Sequence, residues 1–307
     1  MAKGSSHLID TDITSNALDV LKNGVQSTVV LGRRGHVQGA FTIKEIRELT
    51  KLRKEGVNAS FLVRSDELDL GMTHASEKEL EGPGGRPKSR IDKLLRQAAE
   101  SFSDESTLGE KEISLRFLLN PVEFLPLDDD PSTLGKVVCE RTKLQGEPGN
   151  QSAVGTGEFE TFPAQMALVS IGYKGVALDG MQNEGLFDPK RGVVNHVGGK
   201  VDEAAGSKGG LYTAGWLKRG PSGIIGTNIM DAKDTVVTIL KDLAKQPIGK
   251  KGGGIDKLLE KRGVNVVTWS DYKNIDAAET RIDRKRTEVQ PREKFTTVNE
   301  LLAAAGI

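Results

Sequence analysis

One cysteine, Cys139, stands in 307 residues. That excludes a disulfide framework, a Cys-x-x-Cys redox pair and a cysteine-ligated cluster. Flavoenzymes that reduce disulfides through a cysteine pair are excluded with them. Net charge is lacking too: Lys+Arg and Asp+Glu each number 43. A zero balance gives no argument for nucleic acid, so any electrostatic recognition must come from local patches. The four histidines, His7, His36, His74 and His196, are scattered without metal-ligand spacing, and no metal site is expected. No apolar run reaches the roughly 18 residues of a spanning helix. The segment Met1 to His7 reads as neither a secretory signal nor an Arg-rich transit peptide. No G-x-G-x-x-G occurs anywhere. What remains is ordinary for a soluble globular chain, 36% hydrophobic and 28% charged, and long enough for one or two domains.

Two segments stand out. Gly215 to Asn228 combines glycines, Pro221 and a capping candidate, Ser222, ahead of an amphipathic run from Asp231 to Leu243. A backbone that turns and enters a helix points several N–H groups outward, at an end carrying roughly +0.5 of an elementary charge. Gly223 lets that backbone approach a flat ring, having no Cβ. Trp216 and Arg219 add a π-face and a fixed positive charge. The plain alternative is a helix-entry loop with an ordinary tryptophan. The second segment, Gly32-Arg33-Arg34-Gly35, follows the β-branched run Ser27 to Leu31. Two arginines at the carboxyl end of a parallel strand are placed to receive a phosphate, as at the 2′-phosphate of NADP. Guanidinium binds phosphate through two donors at once. The plain alternative is a solvated turn.

Along the chain, helices are expected at 12–21, 39–53, 89–101 and 231–243 from apolar spacing. Strands are expected at 28–31, 113–118, 136–140, 167–173 and 211–214. A polar stretch runs to about Pro87, an acidic turn covers Asp128 to Pro131, and Lys143 to Gly157 reads as loop.

Blocks that run in order along the chain carry a resemblance. They include Thr11-Asp12-Ile13-Thr14, Val30-Leu31-Gly32-Arg33-Arg34-Gly35, Ala40-Phe41-Thr42-Ile43-Lys44-Glu45, Ile171-Gly172-Tyr173-Lys174 and Phe187-Asp188-Pro189. The Gly215 loop, Trp269-Ser270-Asp271 and Pro291-Arg292-Glu293-Lys294 extend the series. The chain resembles the NADPH:adrenodoxin oxidoreductase family, mitochondrial-type ferredoxin–NADP reductases. The resemblance implies an α/β, glutathione-reductase-like, two-domain flavoprotein with FAD and NADP(H) as cofactors. It implies hydride transfer from NADPH to FAD and single electrons to a [2Fe–2S] ferredoxin, adrenodoxin-like, serving a mitochondrial cytochrome P450, steroid metabolism or iron–sulfur assembly. The implied location is the matrix side of the inner mitochondrial membrane, peripheral and without a transmembrane segment.

Carried over by residue, the resemblance assigns Arg33, Arg34, Glu45 and Gly223 to NADP, and Trp216, Gly223, Ile224 and Ile225 to FAD. Glu45 becomes the candidate catalytic carboxylate. Arg86, Lys88, Arg90, Lys93 and Arg96 resemble the ferredoxin-docking region, a basic ridge that would steer an acidic partner. Without the resemblance, Glu45 and the ridge read as solvated helix faces. His36 stands where the family commonly has proline, and is expected to alter the local turn. Both glycine-rich fingerprints of the family lie ahead of the matched blocks. The expected division is therefore 1–170 as the remainder of the NADP-binding domain and 171–307 as the carboxyl-terminal part of the FAD-binding domain. A truncated isoform or fragment, at most a ferredoxin-binding module, is the alternative; a visible flavin spectrum separates the two.

Overall fold

The computed structural model describes residues 5–22, 24–101, 111–182, 185–201, 210–223, 225–245 and 254–307. Two compact units emerge, Met1–Ala167 with Asn265–Ile307, and Leu168–Val264.

The first unit opens with a 3-10 turn at Ser5–His7, then α1 (Ser15–Lys22), β1 (Ser27–Gly32) and a further 3-10 turn at His36–Gln38. α2 (Ile43–Leu49) starts four residues later than the spacing predicts. Thr42 and Glu45 explain the start: they form a reciprocal capping box, satisfying two backbone donors that a helix leaves open. The stretch expected to be merely polar holds β2 (Ala59–Val63), α3 (Ser65–Gly71) and α4 (His74–Glu81). These are short, and α3 buries one large apolar side chain, Leu68, so little periodicity is visible. α5 (Gly85–Ser101) begins four residues before the expected Ser89. Pro87 sits in its first turn, where a missing N–H costs nothing.

β3 (Lys111–Phe117) pairs in parallel with both β1 and β2, giving the order β1-β3-β2. Ile46, Val63, Leu68, Ile91, Leu95, Leu115, Phe117 and Leu118 form the core between this sheet and α2, α3 and α5. Each such side chain contributes roughly 1.5–3 kcal/mol by leaving water. β4 (Leu119–Pro126), β5 (Leu134–Gln145) and β6 (Ser152–Pro163) form an antiparallel meander. The expected loop at 143–157 is thus mostly the β5–β6 hairpin. Its strands are half-solvated, and an antiparallel strand with one wet face needs no apolar run. A buried ion cluster ties α3 to these strands. Glu67, fully buried, accepts from Arg116 at 2.7 Å, Arg141 at 2.9 Å and the Phe117 N–H at 2.8 Å, and Glu160 closes the set.

The second unit holds two short antiparallel pairs, β7 (Phe187–Asp188) with β8 (Val193–Val194) and β9 (His196–Val197) with β10 (Lys200–Val201). α6 (Trp216–Arg219), α7 (Ile225–Leu243) and α8 (Gly254–Lys261) follow. α7 starts six residues before the expected Asp231. The expected central strand at 167–173 has no ladder partner among the described residues, and Leu168, Val169, Ile171 and Tyr173 are exposed. The strand expected at 211–214 is reduced to a bridge between Lys200 and Tyr212.

The chain then completes the first unit with α9 (Trp269–Glu279) and α10 (Val298–Ala305). Residues 265–307, expected with the second domain, pack here for a clear reason. Arg286 donates to the carbonyls of Ile9, Thr11 and Ile13 at 3.1, 3.1 and 2.6 Å, while Glu293 caps α1 by accepting from Ser15 N–H at 2.8 Å.

Candidate functional site

Each unit carries part of the expected site. In the first, β1 ends at Gly32 and delivers Arg33 and Arg34 to the surface. Their backbone is pinned while their side chains stay exposed. Thr142 Oγ1 donates to the Arg33 carbonyl at 2.7 Å, and Leu118 N–H to the Arg34 carbonyl at 3.3 Å. Arg34 reaches back to the Gln38 carbonyl at 3.3 Å. Among the described residues the Arg33 guanidinium has no partner. Gly35 lies against Gly71: a Cβ on Gly35 would sit 3.1 Å from the Gly71 Cα, so a side chain there would have to push the Gly71 backbone aside by a few tenths of an ångström. A pinned backbone carrying a free guanidinium fits an anion that approaches from solvent.

Glu45 lies one helix away in sequence and is exposed. Its carboxylate accepts from the Thr42 N–H at 2.7 Å. That bond, with the Thr42 hydroxyl, holds its carboxyl below the ordinary range. The geometry gives Glu45 a capping role.

The basic ridge divides into two sets. Arg86, Arg90 and Lys93 are exposed and have no ion-pair partner among the described residues. Their spacing of four and three places them on one helix face. Lys88 and Arg96 are engaged: Lys88 pairs with Glu79, and Arg96 pairs with Asp92 at 3.0 Å and Asp69 at 2.7 Å.

In the second unit the Gly215 loop is built on α7. Gly215 takes φ +70 and ψ −141, a conformation closed to most side chains, and its N–H donates to Asp231. Lys218 is buried and reaches Asp231 at 3.1 Å, Asp234 at 2.6 Å and the Thr235 hydroxyl at 3.1 Å. Burial works to lower its pKa, but the two carboxylates outweigh it and hold the ammonium charged. This anchoring escaped sequence reasoning, although Asp231, Asp234 and Thr235 recur at the three-to-four spacing of one helix face. Trp216 stays 51% exposed, and its ring packs on Tyr173 at a centroid distance of 5.5 Å. Gly223 has φ +91, and a Cβ there would collide with Thr227. Arg219 turns inward to the Ser222 carbonyl and Asn228. Ile224 lies outside the described residues, and Ile225 is described only as the first residue of α7. An exposed aromatic pair, its Trp216 on the loop that also carries the side-chain-free Gly223, fits a flat ring system.

Thr142 and Leu118 hold the carbonyls of the arginine turn, and neither is marked as a site residue in the sequence. Thr142 lies 109 positions from Arg33, and no local spacing signals such a contact. Among the described residues no His, Cys, Asp and Glu group could hold a metal ion, and no helix is long and apolar enough to cross a membrane.

No family model matches the chain. It is 37% identical over 319 residues to a mitochondrial NADPH:adrenodoxin oxidoreductase of Arabidopsis thaliana, covering 100% of this chain and 63% of that protein. It is 34% identical over 305 residues to the NADPH-ferredoxin reductase FprA of Mycobacterium tuberculosis, covering 96% of this chain and 61% of that protein. The solved structure of Mycobacterium tuberculosis FprA in complex with NADPH superposes with a TM-score of 0.80 at 32% identity, covering all of this chain and 64% of that one. The chain thus spans about three-fifths of the length of these relatives, and its fold is that of the corresponding part of FprA.

Proposed function

As a homologue of the NADPH:adrenodoxin oxidoreductases along its whole length, this chain, we propose, carries the coenzyme-selecting and flavin-facing parts of an NADPH–ferredoxin reductase. The observation that carries the reading is the arginine turn. Arg33 and Arg34 stand exposed at the carboxyl end of a parallel strand, on a backbone pinned by Thr142 of β5 and by the Leu118 N–H between β3 and β4. That is where a 2′-phosphate sits in dinucleotide folds.

In this reading residues 1–170 contribute to NADP binding and 171–307 to FAD binding, Asn265–Ile307 doing so from within the first compact unit. Arg33 and Arg34 hold the 2′-phosphate, and Glu45, fixed as a carboxylate by its capping box, faces the nicotinamide end. Trp216, Gly223, Ile224 and Ile225 hold the flavin ring. A bound flavin supplies the step from two-electron to one-electron chemistry. The residues of this chain bind and orient it: Lys218, Asp231 and Asp234 fix the loop that presents Trp216. The partner is an acidic [2Fe–2S] ferredoxin, met by Arg86, Arg90 and Lys93, while Lys88 and Arg96 tie the helix to its neighbours through Glu79 and Asp69. The plant relative is mitochondrial and FprA is bacterial; we place this chain with the former.

Equilibrium binding of NADPH and NADH to Arg33→Ala and Arg34→Ala tests the reading. A hydrogen bond to a charged group contributes roughly 1.5–3 kcal/mol. Each substitution is expected to weaken NADPH by about tenfold to a hundredfold and to leave NADH nearly unchanged. Equal losses for both coenzymes would contradict it.

A further inference from the structure

We propose that His36 is the positioning residue of the arginine turn, fixing through Asp92 of α5 where Arg33 and Arg34 present their guanidinium groups. The inference rests on the 2′-phosphate reading of that pair and adds what holds the pair in place.

His36 follows the arginines by one residue, Gly35, and is 3% exposed. Its Nε2 lies 2.9 Å from Asp92 Oδ1. The same oxygen accepts from Arg96 Nε at 3.0 Å, and Arg96 in turn donates to Asp69 of α3 at 2.7 Å. A carboxylate oxygen that already accepts from a guanidinium takes a donor from the ring, so Nε2 carries the proton. The other nitrogen, Nδ1, is buried without a hydrogen-bond partner. It faces Gly71, where a Cβ would sit 3.5 Å away. The ring edge packs on Phe117 at 5.8 Å. A proton on Nδ1 would have no acceptor, and burial pushes the histidine below its ordinary value although Asp92 and Asp69 pull upward; Arg96 adds to the downward push. The ring is therefore neutral with one tautomer.

The turn is thus clamped on both sides. Thr142 Oγ1 of β5 holds the Arg33 carbonyl and Leu118 N–H, between β3 and β4, holds the Arg34 carbonyl, while Asp92 holds His36 from the helix layer. Two-donor recognition of phosphate has a fixed geometry, so a turn ordered in advance loses less freedom on binding. Of these restraints, the His36–Asp92 bond joins two side chains, so it can be removed from either end. The same Asp92–Arg96 pair lies on the helix of the basic stripe, so this histidine joins the turn directly to α5.

The test uses the full chain and two probes, 2′,5′-ADP, which carries the 2′-phosphate, and 5′-AMP, which lacks it. Asp92→Ala and His36→Leu remove the bond; His36→Gln keeps an amide N–H at similar reach. Asp92→Ala lies on a partly exposed helix position and guards against a folding failure of His36→Leu. Both removals are expected to weaken 2′,5′-ADP about tenfold without moving 5′-AMP, and His36→Gln to restore most of the affinity. Amide exchange at Leu118, whose N–H holds the Arg34 carbonyl, is expected to quicken in both removals. Unchanged 2′,5′-ADP affinity, or equal losses for both probes, would overturn the proposal. If the unaltered chain binds both probes equally, the coenzyme reading fails by itself; exchange at Leu118 then judges the anchor, slow exchange in Asp92→Ala overturning it and fast exchange supporting it.

Discussion

Residues that look interchangeable in the sequence have unequal standing in the fold. Glu67 and Glu160 both meet Arg116 and Arg141, but Glu67 is fully buried and Glu160 about a quarter exposed. Burial works to lower the Arg116 pKa, and the hydrogen bonds that Arg116 donates to Glu67 and Glu160, with their charges, more than reverse it. Removing one member of a buried set leaves an uncompensated charge, costing about 3–5 kcal/mol. Glu67→Ala is therefore expected to lower stability by about that amount in urea titration, and Glu160→Ala by clearly less because water can replace it. Equal effects would show that burial does not set the ranking. His36 gives a pH signature. Its folded value lies below the unfolded 6.5, so the unfolded chain takes up its proton first as pH falls. The stability that goes with the neutral ring is complete above about 6.5 and is lost as pH falls through the lower folded value. Replacing His36 by Gln should remove that component of the acid transition; an unaltered pH–stability curve would contradict the assignment.

At the scale of elements, α5 shows what was legible in the sequence and what was not. Its apolar positions Ile91, Leu94, Leu95 and Ala98 marked the helix, and the structure buries or half-buries all four. Its five basic residues gave no hint of their division, because Glu79, Asp69 and the resulting pairs depend on how α3 and α4 pack beside it. The arginine turn was legible because a strand and its end are local, whereas Thr142 and Asp92 reach it from distant positions. β2, α3 and β6 were missed since each is short or half-solvated and carries little periodicity. The division of α5 yields a prediction. Arg90→Glu should slow association with an acidic [2Fe–2S] ferredoxin, and the difference should shrink with salt, as the screening length falls from about 10 Å at 0.1 M to about 3 Å at 1 M. Arg96→Glu should instead lower the melting temperature, since it sets a carboxylate against Asp92 and Asp69. Association rates that ignore both salt and Arg90→Glu would leave the stripe a solvated face.

The whole chain joins two units of different completeness. The first buries a continuous core between sheet and helices. In the second, α7 turns Asp231 and Thr235 inward and leaves Ile229, Met230, Val236, Val237, Leu240 and Leu243 exposed along one face. An apolar stripe of this length is a large exposed patch. The chain is therefore expected to bind the dye ANS in its native state, and Val236→Lys with Leu240→Lys to reduce that binding without loss of helix by circular dichroism. Unchanged dye binding would place the exposed surface elsewhere. The arginine turn is the feature on which the functional reading stands, and it can be observed directly. NMR of the arginine Nε–H groups, with Arg33 and Arg34 assigned by substitution, reports what touches each guanidinium. Adding 2′,5′-ADP is predicted to shift both resonances, while 5′-AMP leaves them in place. Resonances unmoved by 2′,5′-ADP, or moved equally by the two nucleotides, would contradict the account.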